Sequence, residues 1–135
     1  MGAGGEGESH RYAWGDTWLP DRANTQELGL NRTTPVGIFA GGATPEGLLD
    51  VTGNAWEWCR DWFAGDTYRR RAGEAAANGV YSQDPVGPGQ GTYKVLRGGS
   101  AWDDRNLVRC AVRFGDFPVN RGYDVGFRVA RSSLD

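Results

Sequence analysis

Between residues 56 and 62 the chain reads W-E-W-C-R-D-W. In an extended chain successive side chains point to opposite faces, so Trp56, Trp58, Arg60 and Trp62 share one side and Glu57, Cys59 and Asp61 the other. Three indoles on one face predict a strand packed on a core. Three further segments read as strands. "TYKVLRGG" (92–99) runs into a glycine turn, "NLVRCAVRF" (106–114) alternates, and "DVGFRVAR" (124–131) places Val125, Phe127 and Val129 on one side. That alternation assigns Phe127 to the core. Within 64–91, a long surface excursion, "RRRAGEAAA" carries enough helix formers for one or two turns. Segment 12–25 mixes aromatics with turn formers and reads as irregular, "TTPVGIF" (33–39) is a short extended piece, and "AGGATPEG" (40–47) is a turn. Residues 1–11 read as a flexible lead. The expected class is α+β, a small antiparallel sheet with extensive irregular loops, in one domain over 12–135.

Composition narrows the chemistry. The 135 residues include 22 glycines and six tryptophans, at a formal net charge of −2. A dedicated nucleic-acid binder is normally basic, so nucleic acid is not an expected partner. No apolar run reaches the length of a membrane span. The sequence shows no signal peptide and leaves surface display and cytoplasm both open. One histidine, His10, and two cysteines, Cys59 and Cys110, fall short of the usual four ligands of a structural zinc site. His10 lies in the lead, so a Ser-His or Cys-His nucleophile pair is not expected either. Ser100 in "GGSA" lacks the G-x-S-x-G frame, and no phosphate-loop motif is present. Cys59 and Cys110 are expected to be structural and buried, with a disulfide and two free thiols both open.

The ordered series "PVGIF", "GLLDVTGNAWEWCRDW", "YKVLRGGSAWDD", "VRCAVR" and "DVGFRVAR" resembles the formylglycine-generating-enzyme (sulfatase-modifying factor) domain. The resemblance implies a divergent C-type-lectin fold over 12–135, without the N-terminal portion usual in that family. Another chain is then a candidate to supply that portion.

It also implies three activities. The copper-dependent oxidase branch carries a C-x4-C pair after the Gly-Gly-Ser turn. Here that stretch is "AWDDRNLV", so the two thiolates a soft copper site needs are absent. The iron-dependent sulfoxide-synthase branch relies on a histidine cluster that one histidine does not supply. The third branch, the variable proteins of diversity-generating retroelements, uses the fold to display a mutable face. Between Asp103 and Asp124 there is no Lys, Glu, Gln, Met or Trp, the residues that randomised adenines in an asparagine codon do not produce. The leading expectation is therefore a non-enzymatic ligand-binding module recognising an unknown protein or cell-surface ligand. The alternative is a sulfatase-modifying oxidase fragment or its inactive relative, and a purely structural domain is a third reading.

The expected ligand face comprises Ala101, Trp102, Asp103, Asp104, Val112, Phe114, Asp116, Phe117, Val119 and Tyr123. Aromatic, aliphatic and acidic residues stand there without a period, between the Gly98-Gly99 turn and the last strand. Trp102 reads equally as an anchor for a ligand or as a floor beneath the face. The resemblance further implies a structural Ca2+ site at Asp50, Gly53, Ala55 and Glu57, two carboxylates flanking a glycine turn with inward carbonyls. Against it stands the reading in which Asp50 and Glu57 cap turns and pair with arginine. Arg97, Arg109, Arg113 and Arg128 admit two readings, an anion-binding patch or internal pairing.

Overall fold

The computed structural model describes residues 10–80 and 85–131. Its regular elements are strand β1 (Trp56–Trp62), helix α1 (Thr67–Asn78), β2 (Lys94–Arg97), β3 (Phe114–Asp116) and β4 (Val125–Gly126), with three short 3-10 turns before β1. The strands form one sheet in the order β3-β2-β1-β4. β1 pairs antiparallel with β2, and β2 with β3. β4, however, runs parallel to β1, so the sheet is mixed where an all-antiparallel one was expected.

Paired residues project to the same side, and the register therefore defines two faces. Trp58 is opposite Leu96, and Leu96 is opposite Phe114. Trp56 is opposite Val125. These residues form one face, called face A below. Glu57 opposite Arg97, and Val95 opposite Gly115, belong to the other, face B. An irregularity between Trp58 and Trp62 shifts the register within β1.

Val95, Leu96, Trp56 and Val108 are buried. Each fully buried aliphatic of this size stabilises the fold by about 1.5–3 kcal/mol. A second cluster holds the N-terminal loops: Tyr12 stacks on Trp14 at 5.5 Å and meets Trp18 edge-on at 4.9 Å.

Two turns lock the sheet to these loops. In the first, Gly53 and Asn54 both adopt positive φ, +75° and +68°. Any Cβ at Gly53 would run into the carbonyl of Asn24. Asn54 donates its amide to Asn24 O at 2.8 Å, while its side-chain oxygen accepts from Thr34 N at 2.8 Å and Asn24 Nδ2 at 3.1 Å. In the second, Gly99 has φ +73° and lies so close to Val108 that a Cβ would sit 2.5 Å from its methyl. The turns are bonded to each other, Gly53 N to Gly98 O at 2.8 Å and Ala101 N to Asn54 O at 3.0 Å.

Several expected elements differ. Of the expected strand 106–114, only Phe114 enters the sheet, as the start of β3, and the rest forms turns: Leu107 N and Val108 N both bond Asp104 O, and Val112 N bonds Arg109 O. Those amides are spent locally, leaving none for a ladder. The helical stretch is longer than one or two turns, spanning the 12 residues of α1 and stopping at Gly79 in the left-handed region, whose N–H caps Ala75 O. The final strand is only two residues long. Phe127 and Val129 are 75% and 86% exposed, so the apolar alternation is present but has no cover among the described residues. The expected lead, residues 1–11, falls outside the described residues except for His10 and Arg11. Arg11 is held by its N–H to Asp16 and its carbonyl to Cys110 N.

Candidate functional site

Face A carries an open cleft of about 280 Å3. Every strand contributes to it: Trp56 from β1, Leu96 from β2, Phe114 and Asp116 from β3, and Val125 from β4. The loop joining the last two strands closes one side with Asn120, Arg121, Gly122 and Asp124. Trp56 forms the buried floor, its amide donating to Asp124 O at 2.7 Å, which ties that loop to the sheet.

The aromatics between residues 114 and 123 follow one rule. Phe114 leans on Trp56 with ring centroids 5.9 Å apart, Phe117 on Tyr93 at 4.7 Å, and Tyr123 edge-on against Trp102 at 4.8 Å. All three outer rings are exposed, at 57%, 47% and 79%. Each exposed ring is thus oriented by an aromatic from the preceding part of the chain. Trp102 is half-buried and serves as a floor for Tyr123. Val119 stands free at 82% exposure.

The acidic members of the expected face work in turns. Asp103 Oδ2 accepts from Ser100 N at 2.9 Å and from Ser100 Oγ at 2.6 Å. Asp104 Oδ1 accepts from Asn106 N at 2.7 Å. Asp116 Oδ1 caps Phe117 N at 2.8 Å and holds Asn120 Nδ2 at 2.6 Å. Ala101 requires a correction: it is 0% exposed, buried in the second turn, and is not displayed. Val112 is half-buried and lies away from the cleft lining.

Of the ten residues expected from sequence, Phe114 and Asp116 line the cleft, and Phe117, Val119 and Tyr123 are exposed nearby in sequence. Reading the sequence alone missed Trp56, Leu96, Asn120, Arg121 and Asp124. The usable signal was the W-E-W alternation, which places Trp56 on the face that carries Leu96. Arg121, which reaches no hydrogen-bond partner among the described residues, had no sequence signal.

Two of the expected calcium residues, Glu57 and Asp50, contact Arg128. Its Nε donates to Glu57 Oε2 at 2.6 Å and an Nη bonds Glu57 Oε1. The other contacts are to Leu49 O at 3.0 Å and Asp50 O at 3.2 Å. The Asp50 carboxylate accepts from Gly37 N at 2.7 Å. The guanidinium thus occupies both oxygens of one expected ligand, Glu57. Of the donors expected for calcium, Arg128 engages the Glu57 carboxylate, while the Asp50 carboxylate and the Gly53 and Ala55 carbonyls make no hydrogen bond to it. Glu57 in turn pushes the Arg128 guanidinium up, holding it charged through their hydrogen bonds. No group of three or more His, Cys, Asp or Glu placed to hold a metal occurs among the described residues.

Both cysteines are free thiols. Cys59 is half-buried as expected, but Cys110 is exposed, which corrects its expected burial. Desolvation by the surrounding protein pushes both thiols up from the usual range, that of Cys110 included although the residue is exposed, away from a ready nucleophile. No helix among the described residues is long and apolar enough to cross a membrane.

Comparison with known proteins agrees with this geometry. The chain is 44% identical over 123 residues to the serine/threonine-protein kinase pkn1 of Chlamydia caviae, covering 90% of this chain and 18% of that one. It is 34% identical over 139 residues to the formylglycine-generating enzyme of Streptomyces coelicolor, covering 91% and 41%. The chain therefore spans less than half the length of these relatives. Among solved structures, Treponema denticola variable protein 1 superposes with a TM-score of 0.71 at 26% identity, over 90% of this chain and 40% of that one. The fold is accordingly α+β and C-type-lectin-like, as the motifs implied. Residues 1–133 match the family described as the sulfatase-modifying factor enzyme 1-like domain, and the chain belongs to that family.

Proposed function

We propose that the chain is a non-catalytic ligand-binding module whose ligand, a protein or another surface-borne molecule, docks on the exposed segment 114–123, which borders the face A cleft. The observation that carries this reading is the set of three exposed rings, Phe114, Phe117 and Tyr123, each packed on another aromatic: buried Trp56, exposed Tyr93 and half-buried Trp102. Pre-oriented aromatics supply large contact area at small entropic cost, as in adaptable paratopes. Trp56 and Trp102 keep the fold while the rings upon them are free to differ, which is what a diversified surface requires. The similarity to a protein named as variable supports the same reading.

Population sequencing of the locus tests it. Amino-acid differences concentrated at Phe114, Phe117, Val119, Arg121 and Tyr123, with Gly98, Gly99, Ala101 and Val108 constant, are expected. Differences spread evenly along the chain contradict a diversified face.

A second reading concerns the rest of the family domain. Val36, at 79% exposure, and Phe127, at 75%, line one shallow depression beside Arg128. The chain spans less than half of its relatives. An additional polypeptide portion, in the same chain or another, is the occupant this apolar surface suits.

The enzymatic alternative is an oxidase of the formylglycine-generating type. It is tested by incubating the protein with copper, oxygen and a Cys-x-Pro-x-Arg peptide and following peptide mass. No product is expected, and formylglycine lost on Cys110→Ser would establish the alternative instead.

A further inference from the structure

On face B, β1, β2 and α1 enclose a second cavity of about 80 Å3, which shares no lining residue with the cleft. Three guanidinium groups line it: Arg71 from α1, Arg97 from β2, and Arg113 just before β3. None is ion-paired among the described residues. Their hydrogen bonds go to neutral oxygens instead. Arg97 reaches Cys110 O at 2.9 Å and the Tyr68 hydroxyl at 3.0 Å. Arg113 reaches Ala64 O at 2.8 Å, and Arg71 reaches Pro85 O and Val86 O at 3.4 and 3.3 Å. Each guanidinium has five donors and uses only one or two.

Tyr68 joins two of them. It bonds Arg97 through its oxygen and receives Arg113 over its ring at 4.6 Å. That phenol also donates to Ala111 O at 2.9 Å, so it is not available to balance charge. The remaining charged group in the lining is the single carboxylate of Asp61. Arg113 Nε is buried and has no hydrogen-bond partner among the described residues. Leaving a buried donor on a charged group unpaired is costly, which points to a missing acceptor.

We propose that this cavity binds a small divalent tetrahedral oxyanion, phosphate or sulfate, either free or as the terminal group of a monoester. Three guanidiniums against one carboxylate leave two positive charges, which such an ion matches. Guanidinium forks also suit its oxygens geometrically. Liquid water occupies about 30 Å3 per molecule, so the cavity has room for one small ion but not for a ring. The site lies on the sheet face opposite the ligand cleft and does not depend on that reading.

The test is thermal melting of the whole chain in sodium phosphate, sodium sulfate or sodium chloride at equal ionic strength, with calorimetric titration of phosphate alongside. A saturable rise in melting temperature with the divalent oxyanions, beyond that in chloride, is expected. Arg71→Gln should weaken phosphate binding by about tenfold or more, the loss of one charge-assisted contact. Arg69→Gln, on the same helix but outside the lining, should bind as the wild type does. Asp61→Asn removes the opposing carboxylate and should strengthen binding, which keeps the idea testable if Arg71→Gln folds poorly. A phenyl phosphate arm separates the sources. Binding that matches inorganic phosphate assigns a monoester, and binding of the inorganic ion alone assigns the free ion. Equal melting in chloride and sulfate overturns the proposal, as does unchanged phosphate affinity in both Arg71→Gln and Asp61→Asn.

Discussion

Tyr123 meets Trp102 edge-on, ring centroids 4.8 Å apart and planes at 78°. Tyr123 is 79% exposed and Trp102 half-buried, so one residue displays and the other supports. A double-mutant cycle with Tyr123→Ala and Trp102→Ala should give a coupling of about 0.5–1.5 kcal/mol, as measured for such aromatic pairs. Chemical denaturation of the four proteins reads it out. No coupling means that Tyr123 is not oriented by its neighbour.

Asp103 behaves as a turn residue, although sequence placed it on the display face. Asp103→Ala removes the acceptor for Ser100 N and Ser100 Oγ and should cost about 1–2 kcal/mol in denaturant melts. Ala101→Leu should cost more than about 1 kcal/mol by overpacking a site with no free surface. If both variants melt like the wild type, the second turn is not the rigid base described.

Glu57 and Arg128 bear directly on the calcium site that the family resemblance implies. With the guanidinium bonded to both Glu57 oxygens, melting curves in calcium and in chelator should coincide. Glu57→Gln should destabilise by about 1 kcal/mol, a modest figure because the Arg128 and Glu57 side chains retain 40% and 26% exposure. A clear rise in melting temperature on adding calcium, abolished in Glu57→Gln, would mean that a metal displaces Arg128.

The thiols should react slowly and in a defined order. Burial pushes both up, so thiolate and hence alkylation gain only as pH rises beyond the ordinary thiol value of about 8.5. At any pH exposed Cys110 should be modified before half-buried Cys59, as read by mass spectrometry after brief iodoacetamide treatment. Rapid labelling of Cys59 at neutral pH contradicts this, as does a disulfide-linked peptide.

How much was legible depends on where each segment spends its hydrogen bonds. The W-E-W-C-R-D-W run could be read because both its faces are decided within the sheet: Trp56 is buried on one, and Glu57 sits opposite Arg97 on the other. Segment 106–114 could not, since its alternation competes with the carboxylate and carbonyl of Asp104, which capture the amides of Leu107 and Val108. Phe127 and Val129 show the converse. Their period of two is genuine, but alternation reports a face suited to burial, and none of the described residues covers it. Phe127→Ala, expected from sequence to be severe, should therefore change the stability of this chain by less than about 0.5 kcal/mol. In the site, Phe114 and Tyr123 stood out as aromatics in a broken segment. Trp56 and Leu96 looked like ordinary core, because only the register across β1, β2 and β3 brings them beneath the cleft.

The central claim is that a tolerant surface rests on an intolerant base. Saturation mutagenesis of residues 95–125 on displayed protein, scored by protease resistance, measures it directly. Substitutions at Phe114, Phe117, Val119, Arg121 and Tyr123 should leave stability within roughly 1 kcal/mol. Small or polar replacements at Val95, Leu96 and Val108 should cost about 2 kcal/mol or more. Comparable losses in the two groups would show that the face is part of the core and contradict its role as a display surface.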